Sequence, residues 1–404
     1  MKKIGILLLI IMNTVLLSGC WDRIEINDIA IVTAVGIDKM DDGDICLSLL
    51  IPVPKMLSSV GGGAEDKTST ILVSERGKGT VDAFRKVQDK LPREIMFSHI
   101  RVIVIGERLA RDGVTDVLDF FSRYRQSNLR AHVLVTKENV DEVLGGDPGI
   151  ERSVSELIRE EGKMGIGIQT DLKDFISMLT EEGANPVAGQ LVIVPLTAKL
   201  ESNEVTEKPK PKKPYATVKG AAVFHKDKLV GWINDEEIRG IFWLRDEMKR
   251  SGGTITVDIP EEKGGGKIGV RVHATKIQLQ PKINDDVLTI DVYIDTQMII
   301  DENSSRIDLG DPKSIHYAEK AIENSIKERF QIVLNKIQKQ LQSDVLGLGT
   351  AVYRKYPKEW QEKYKDNWDE EFPELNVRVA CKVWIPRVGF VTNSLTRKAD
   401  VTPK

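Results

Sequence analysis

Ile100-Arg101-Val102-Ile103-Val104-Ile105 decides the fold. Five of its six side chains are β-branched aliphatics, and so short and apolar a run reads as a strand buried on both faces. Working outward, residues 114–124 read as a helix and 131–135 as another strand. Upstream, 70–73 is a strand and 81–91 an amphipathic helix stopped by Pro92. Downstream, 139–144 is a short helix ended by Gly145-Gly146. Helices near 153–160 and 172–179 lead to a strand at 190–195. This alternation predicts a sheet with helices packed against it. Before it, the apolar runs 29–37 and 45–53 flank Asp41-Asp42-Gly43-Asp44, a hairpin signal. Residues 58–67, with three consecutive glycines, read as a loop.

The clearest boundary is 201–214, which contains Lys208-Pro209-Lys210-Pro211-Lys212-Lys213-Pro214. Such a segment buries no apolar surface and favours an extended, semi-rigid form, so it reads as a solvated linker. Beyond it, 216–224 and 228–233 form a hairpin, and a helix at 236–249 is capped by Asn234 or Asp235. Residues 268–279 and 287–300 are long strands with β-branched alternation. Asp311-Pro312 then opens a long helix, a capping residue followed by proline at the first helical position. Ile315, Ile322, Ile326, Phe330, Val333, Ile337 and Leu341 recur at helical spacing, one apolar stripe over about 30 residues or roughly 45 Å. A last strand at 376–385 contains Cys381 and Trp384.

The first twenty residues set the compartment. Lys2 and Lys3 precede an apolar run at 4–17, and Leu17-Ser18-Gly19-Cys20 closes it. Small residues before a cysteine, directly after such a run, are what a lipoprotein signal peptidase requires. The run is about 14 residues, short of the roughly 20 that span a bilayer, so it reads as a removable signal. The mature chain would begin at a lipid-modified Cys20 on the outer face of a membrane. Of 404 residues, 41% are hydrophobic and 29% charged, which fits a soluble ectodomain of two or three domains. A net charge of −3 argues against nucleic acid as a partner. With only three cysteines there is no disulfide scaffold, and pairing of Cys46 with Cys381 stays open.

The search for chemistry returns little. There is no Gly-x-Ser-x-Gly elbow, His-Glu-x-x-His, Cys-x-x-Cys or full P-loop pattern. His99, His132, His225, His273 and His316 are dispersed, without a helical i, i+4 metal partner. Asp38 to Gly43 resembles the start of a calcium loop, but Met40 and Leu49 stand where oxygen ligands are needed. Gly77-Lys78-Gly79-Thr80 lacks the upstream glycine of a phosphate loop and reads as a strand-to-helix turn. Two aromatic groups remain, Tyr353, Tyr356, Trp360, Tyr364 and Trp368, and Trp232, Phe242 and Trp243. Each fits sheet packing or a stacking and docking surface.

Four stretches carry a resemblance. The first is Cys20-Trp21-Asp22-Arg23-Ile24-Glu25-Ile26-Asn27-Asp28 running into Ala34-Val35-Gly36-Ile37-Asp38. Phe97-Ser98-His99 leads the central strand through Glu107. Gly231-Trp232-Ile233-Asn234-Asp235-Glu236-Glu237 is followed by Arg239-Gly240 and Trp243-Leu244. Last come Asp344-Val345-Leu346-Gly347-Leu348-Gly349, Lys355-Tyr356-Pro357-Lys358-Glu359-Trp360 and Asn367-Trp368. Together they resemble the Ger(x)C spore-germination lipoproteins, the C subunits of GerA-type nutrient germinant receptors. The likeness covers nearly the whole mature chain in order.

The resemblance implies a non-enzymatic subunit, lipid-anchored through Cys20 to the outer face of the spore inner membrane. It also implies two integral-membrane companions, the A- and B-type subunits, and neither cofactor nor catalytic residue. A solute-binding lipoprotein of an importer is the alternative; it would need a ligand cleft between two hinged lobes. The expected fold is a multidomain α+β ectodomain with mixed sheets, whose C-terminal unit packs a long helix on an antiparallel sheet. The expected boundaries are 1–19 signal, 20–198 N-terminal α/β domain, 199–215 linker, 216–254 small hairpin-and-helix unit and 255–395 C-terminal domain.

Overall fold

The computed structural model describes residues 4–5, 25–53, 70–124, 126–194, 215–244 and 253–387. Cys20 and the Lys-Pro segment lie outside them. The N-terminal unit holds strands β1 (Ile29–Ile31), β2 (Ala34–Lys39), β3 (Ile45–Pro52), β4 (Thr70–Gly77), β5 (Glu94–Met96), β6 (Val102–Gly106), β7 (His132–Thr136) and β8 (Val187–Val194). After the linker come β9 (Tyr215–His225) and β10 (Lys228–Ile233). Eight of these form one mixed sheet in the order β10-β9-β8-β7-β6-β2-β3-β4, and β1 pairs with β5 in a small parallel ribbon. The centre, β8-β7-β6-β2, is parallel.

The period of two sorts the central strands. Val35, Ile37, Ile103, Ile105, Val133 and Val135 face one side, with helices α1 (Thr80–Lys90), α2 (Glu107–Asp112) and α3 (Thr115–Arg123). Ala34, Val102, Val104 and Leu134 face the other, with α4 (Val140–Leu144) and α5 (Val154–Lys163). Helix α6 (Leu172–Thr180) adds Leu172 and Phe175 to the first core. Both faces are therefore covered, which is why residues 100–105 carry almost no polar side chain. The Asp41–Gly43 turn closes the β2–β3 hairpin, with Met40 N–H donating to the Asp44 carbonyl at 2.8 Å.

The hairpin at 216–233 adds two strands to the large sheet. β9 pairs antiparallel with β8 from Val187↔Val223 to Val194↔Tyr215, so the linker joins neighbouring strands of one sheet. The parallel strand β8 would otherwise present an open edge, and the hairpin covers it. A bulge at Gly220, whose φ is +69°, then lets β9 serve two cores from one face. Ala216 and Val218 lie in the core with α5, and Ala221 and Val223 join the C-terminal core.

Past α7 (Ile238–Leu244), the C-terminal sheet has the order β11 (Thr254–Asp258), β12 (Lys267–Asn284), β13 (Val287–Asn303) and β14 (Asn376–Arg387). The first three are antiparallel, and β14 returns parallel to β13. The long helix is intact. Helix α8 (Pro312–Asn335) is capped by Asp311, whose side chain accepts from Ser314 N–H, and a π-helical turn at Lys336–Gln340 continues it. Ile322, Ile326, Phe330, Val333 and Ile337 are fully buried. Ile315 and Leu341 pack at the margins of the same core. The outer edge of β14 is closed from this helix: Glu323 accepts from Val383 N–H at 3.2 Å and Glu319 from Ile385 N–H at 3.0 Å.

Candidate functional site: the junction between the two units

The residues of the late motif converge on one place. Helices α9 (Leu348–Lys355), α10 (Pro357–Glu359) and α11 (Trp368–Glu374) wrap around Asp344. Asp344 is 1% exposed and accepts four hydrogen bonds. They come from Leu346 N–H (3.2 Å), Leu348 N–H (3.1 Å), Gly349 N–H (2.8 Å) and Trp368 Nε1–H (3.2 Å). These donors are the orphan N–H groups at the start of α9 and a buried indole, each of which needs an acceptor. Burial nevertheless pushes the Asp344 carboxyl up to about 6, against the pull of those bonds.

Across the junction stands the segment Glu181-Glu182-Gly183-Ala184-Asn185 of the N-terminal unit. Asn185 N–H donates to the Asp344 carbonyl at 2.8 Å, and Thr350 N–H to the Gly183 carbonyl at 3.0 Å. Glu182 accepts from Trp360 Nε1–H at 2.6 Å and also from Lys365. The Lys365 hydrogen bond, then that of Trp360, holds the Glu182 carboxyl below its ordinary value. Arg354 meets Glu181 at 2.9 Å, and Ser343 Oγ–H donates to the Phe224 carbonyl. Gly183 and Gly349 touch backbone to backbone: a Cβ on Gly349 would stand 2.7 Å from the Gly183 Cα. Beside this clamp runs an open cleft of about 1060 Å³ between Asp174, Met178 and Asn185 on one side and Leu279, Val345 and Arg354 on the other.

Packing accounts for most of the aromatic residues, while Tyr353 stays 38% exposed. Trp360, Tyr364 and Trp368 are 1%, 1% and 6% exposed, and the Trp360 and Trp368 ring centroids lie 5.2 Å apart. Phe242 and Trp243 are buried, while Trp232 donates to Glu107 at 3.2 Å beneath Lys137. Cys46 and Cys381 are both free thiols, in different sheets. Burial raises both, Cys381 to about 12. Among the described residues no group of three or more His, Cys, Asp or Glu side chains could hold a metal. Lys78 Nζ meets Asp44 at 2.8 Å and Lys78 N–H meets Asp82 at 2.9 Å, as in a strand-to-helix turn. The sequence reading missed the partner of the late motif, residues 181–185; its one signal is a glycine directly after two acids.

Fold and junction define a two-unit α+β protein with a polar network joining its own units. Two family models cover it in succession. "Spore germination protein N-terminal domain" matches residues 22–193, and "Spore germination B3/ GerAC like, C-terminal" matches 219–389. Spore germination protein KC of Bacillus subtilis (strain 168) is 31% identical over 408 residues, 98% of each chain. Spore germination protein B3 of the same strain is 23% identical, covering 93% of this chain and 95% of its own. The crystal structure of the GerBC protein superposes with a TM-score of 0.53 at 19% identity, covering 87% of this chain and 96% of the other, and shows the same fold. The chain belongs to the GerAC-like spore germination family.

Proposed function

We propose that this chain is a non-enzymatic, lipid-anchored subunit of a nutrient germinant receptor, held at the outer face of the spore inner membrane through Cys20. Two integral-membrane subunits, of the A and B type, would be its companions. The full-length similarity to spore germination protein KC carries this reading. No helix among the described residues is long and apolar enough to cross a membrane, so signalling across one needs partners that do. The mechanism would be differential contact: nutrient binding in the complex favours one subunit arrangement, and this ectodomain stabilises it.

The importer-type alternative fits less well. Its lobes must open and close, yet here Ile168, Val187, Ala221 and Val223 share one buried core with the C-terminal strands and α8. Such a joint is a packed interface and not a hinge. The test is deletion of the gene in a strain lacking paralogous receptors. Loss of nutrient-triggered germination, with germination by non-nutrient routes intact, is expected. Unchanged nutrient germination would remove the proposal.

A further inference from the structure

Only five peptide units separate Cys20 from Glu25, a reach of at most roughly 18 Å. The described chain therefore starts close to whatever holds Cys20. Ile29–Ile31 pairs with Glu94–Met96. Arg101 N–H donates to the Thr33 carbonyl at 2.9 Å, and His132 N–H to the Arg101 carbonyl at 2.8 Å. Asn128 Nδ2–H reaches the Ile100 carbonyl at 2.9 Å, and Lys173 N–H the Leu129 carbonyl at 3.0 Å. These contacts gather residues 25–31, 93–101, 128–131 and Lys173 at the end of the large sheet where β2, β6 and β7 all begin.

Resting on lipidation of Cys20, we propose that this end of the large sheet is the surface the protein lays against lipid head groups. Ile26 (75% exposed) and Leu129 (43% exposed) supply apolar side chains for the interface. Arg93, Arg130 and Lys173 are exposed there, and the ion pairs of the described residues leave them out. Glu25, Asp28 and Glu94 are exposed at the same end, so it carries little net charge. The acyl chains must then supply the attachment, and the surface sets only the orientation. The opposite end, with the Asp41–Gly43 turn and Lys78, lies beyond the length of β2, about 17 Å for its six residues. Turning the molecule over would consume the whole reach of the tether.

The cations lining the large cleft are committed elsewhere: Arg354 to Glu181 and Lys355 to the Pro281 carbonyl.

The test uses the full lipidated chain, purified from membranes and reconstituted in phosphatidylglycerol/phosphatidylethanolamine vesicles. A fluorophore is placed at Ser98→Cys or Lys78→Cys, with Cys46 and Cys381 replaced by alanine, and the vesicles carry a nitroxide on the lipid head group. Loss of fluorescence at 98 with none at 78 is expected, largely independent of salt. Equal loss at both positions, or loss at 78 alone, overturns the orientation while leaving the anchor intact. Failure of the protein to float with vesicles overturns the anchor itself, and the orientation with it.

Discussion

Gly349→Ala tests the junction with the smallest possible change. The new Cβ would sit 2.7 Å from the Gly183 Cα, the Gly183 carbonyl oxygen and Trp368 Cε2, where ordinary contact begins at 3.4 Å. Two of these atoms are backbone and the third belongs to a packed indole, so none yields cheaply. The units must part by about 0.7 Å. Overpacking of this kind costs about 1–3 kcal/mol. Two bonds across the contact break as the units part: Thr350 N–H to the Gly183 carbonyl (3.0 Å) and Thr350 Oγ1–H to the Glu182 carbonyl (2.9 Å). Each contributes about 1 kcal/mol. Against this, alanine in α9 gains about 1 kcal/mol of helix propensity over glycine. The net expectation is a loss of about 2–4 kcal/mol. Urea unfolding of the unlipidated ectodomain, followed by tryptophan fluorescence and far-UV circular dichroism, reads it as a lower midpoint at unchanged slope. An unchanged or raised midpoint would mean that the helix gain stands alone and that the two glycines do not touch.

Three further outcomes are expected. Cys20→Ala should abolish incorporation of radiolabelled lipid while Cys46→Ala leaves it intact; equal labelling of wild type and Cys20→Ala contradicts the anchor. Glu182, held below its ordinary value of 4.5 by Lys365 and Trp360, contributes stability that is present above that pH and lost as pH falls through its lowered folded value. Glu182→Gln should therefore lower the thermal midpoint near neutrality and flatten its decline in acid, and a variant with the parental acid profile refutes this. The pair Glu319→Ala/Glu323→Ala bares the outer edge of β14, so light scattering should show concentration-dependent association that the parent lacks. A variant that stays monomeric shows that something else closes that edge.

Sequence alone disclosed the parts whose periodicity is strict. Residues 100–105 and 131–135 are covered on both faces, and the stripe from Ile315 to Leu341 has one face to bury, so pattern and burial agree. The short strands β1 and β5 and helix α2 have only three to six residues each, too few to show a period. The pairing of the hairpin with β8 is hidden from the sequence for a different reason. A Lys-Pro run signals an exposed connection, but not whether the connected strands are neighbours, and only the pairing of β8 with β9 shows that they are. At the junction, the motif beginning at Asp344 stands out, but its partners lie far upstream: Gly183 against Gly349, and Asn185 N–H on the Asp344 carbonyl. The glycine after two acids at 181–183 is the one trace of such contacts in the sequence.

Membership in a receptor assembly can be read by solubilising spore inner membranes with mild detergent and recovering the tagged chain with whatever holds it. Two polytopic membrane proteins of the A and B type should be recovered with it in fixed proportion, and be lost from the eluate when the tagged chain is absent. Recovery of the chain alone, or with the permease of a solute importer, would contradict it.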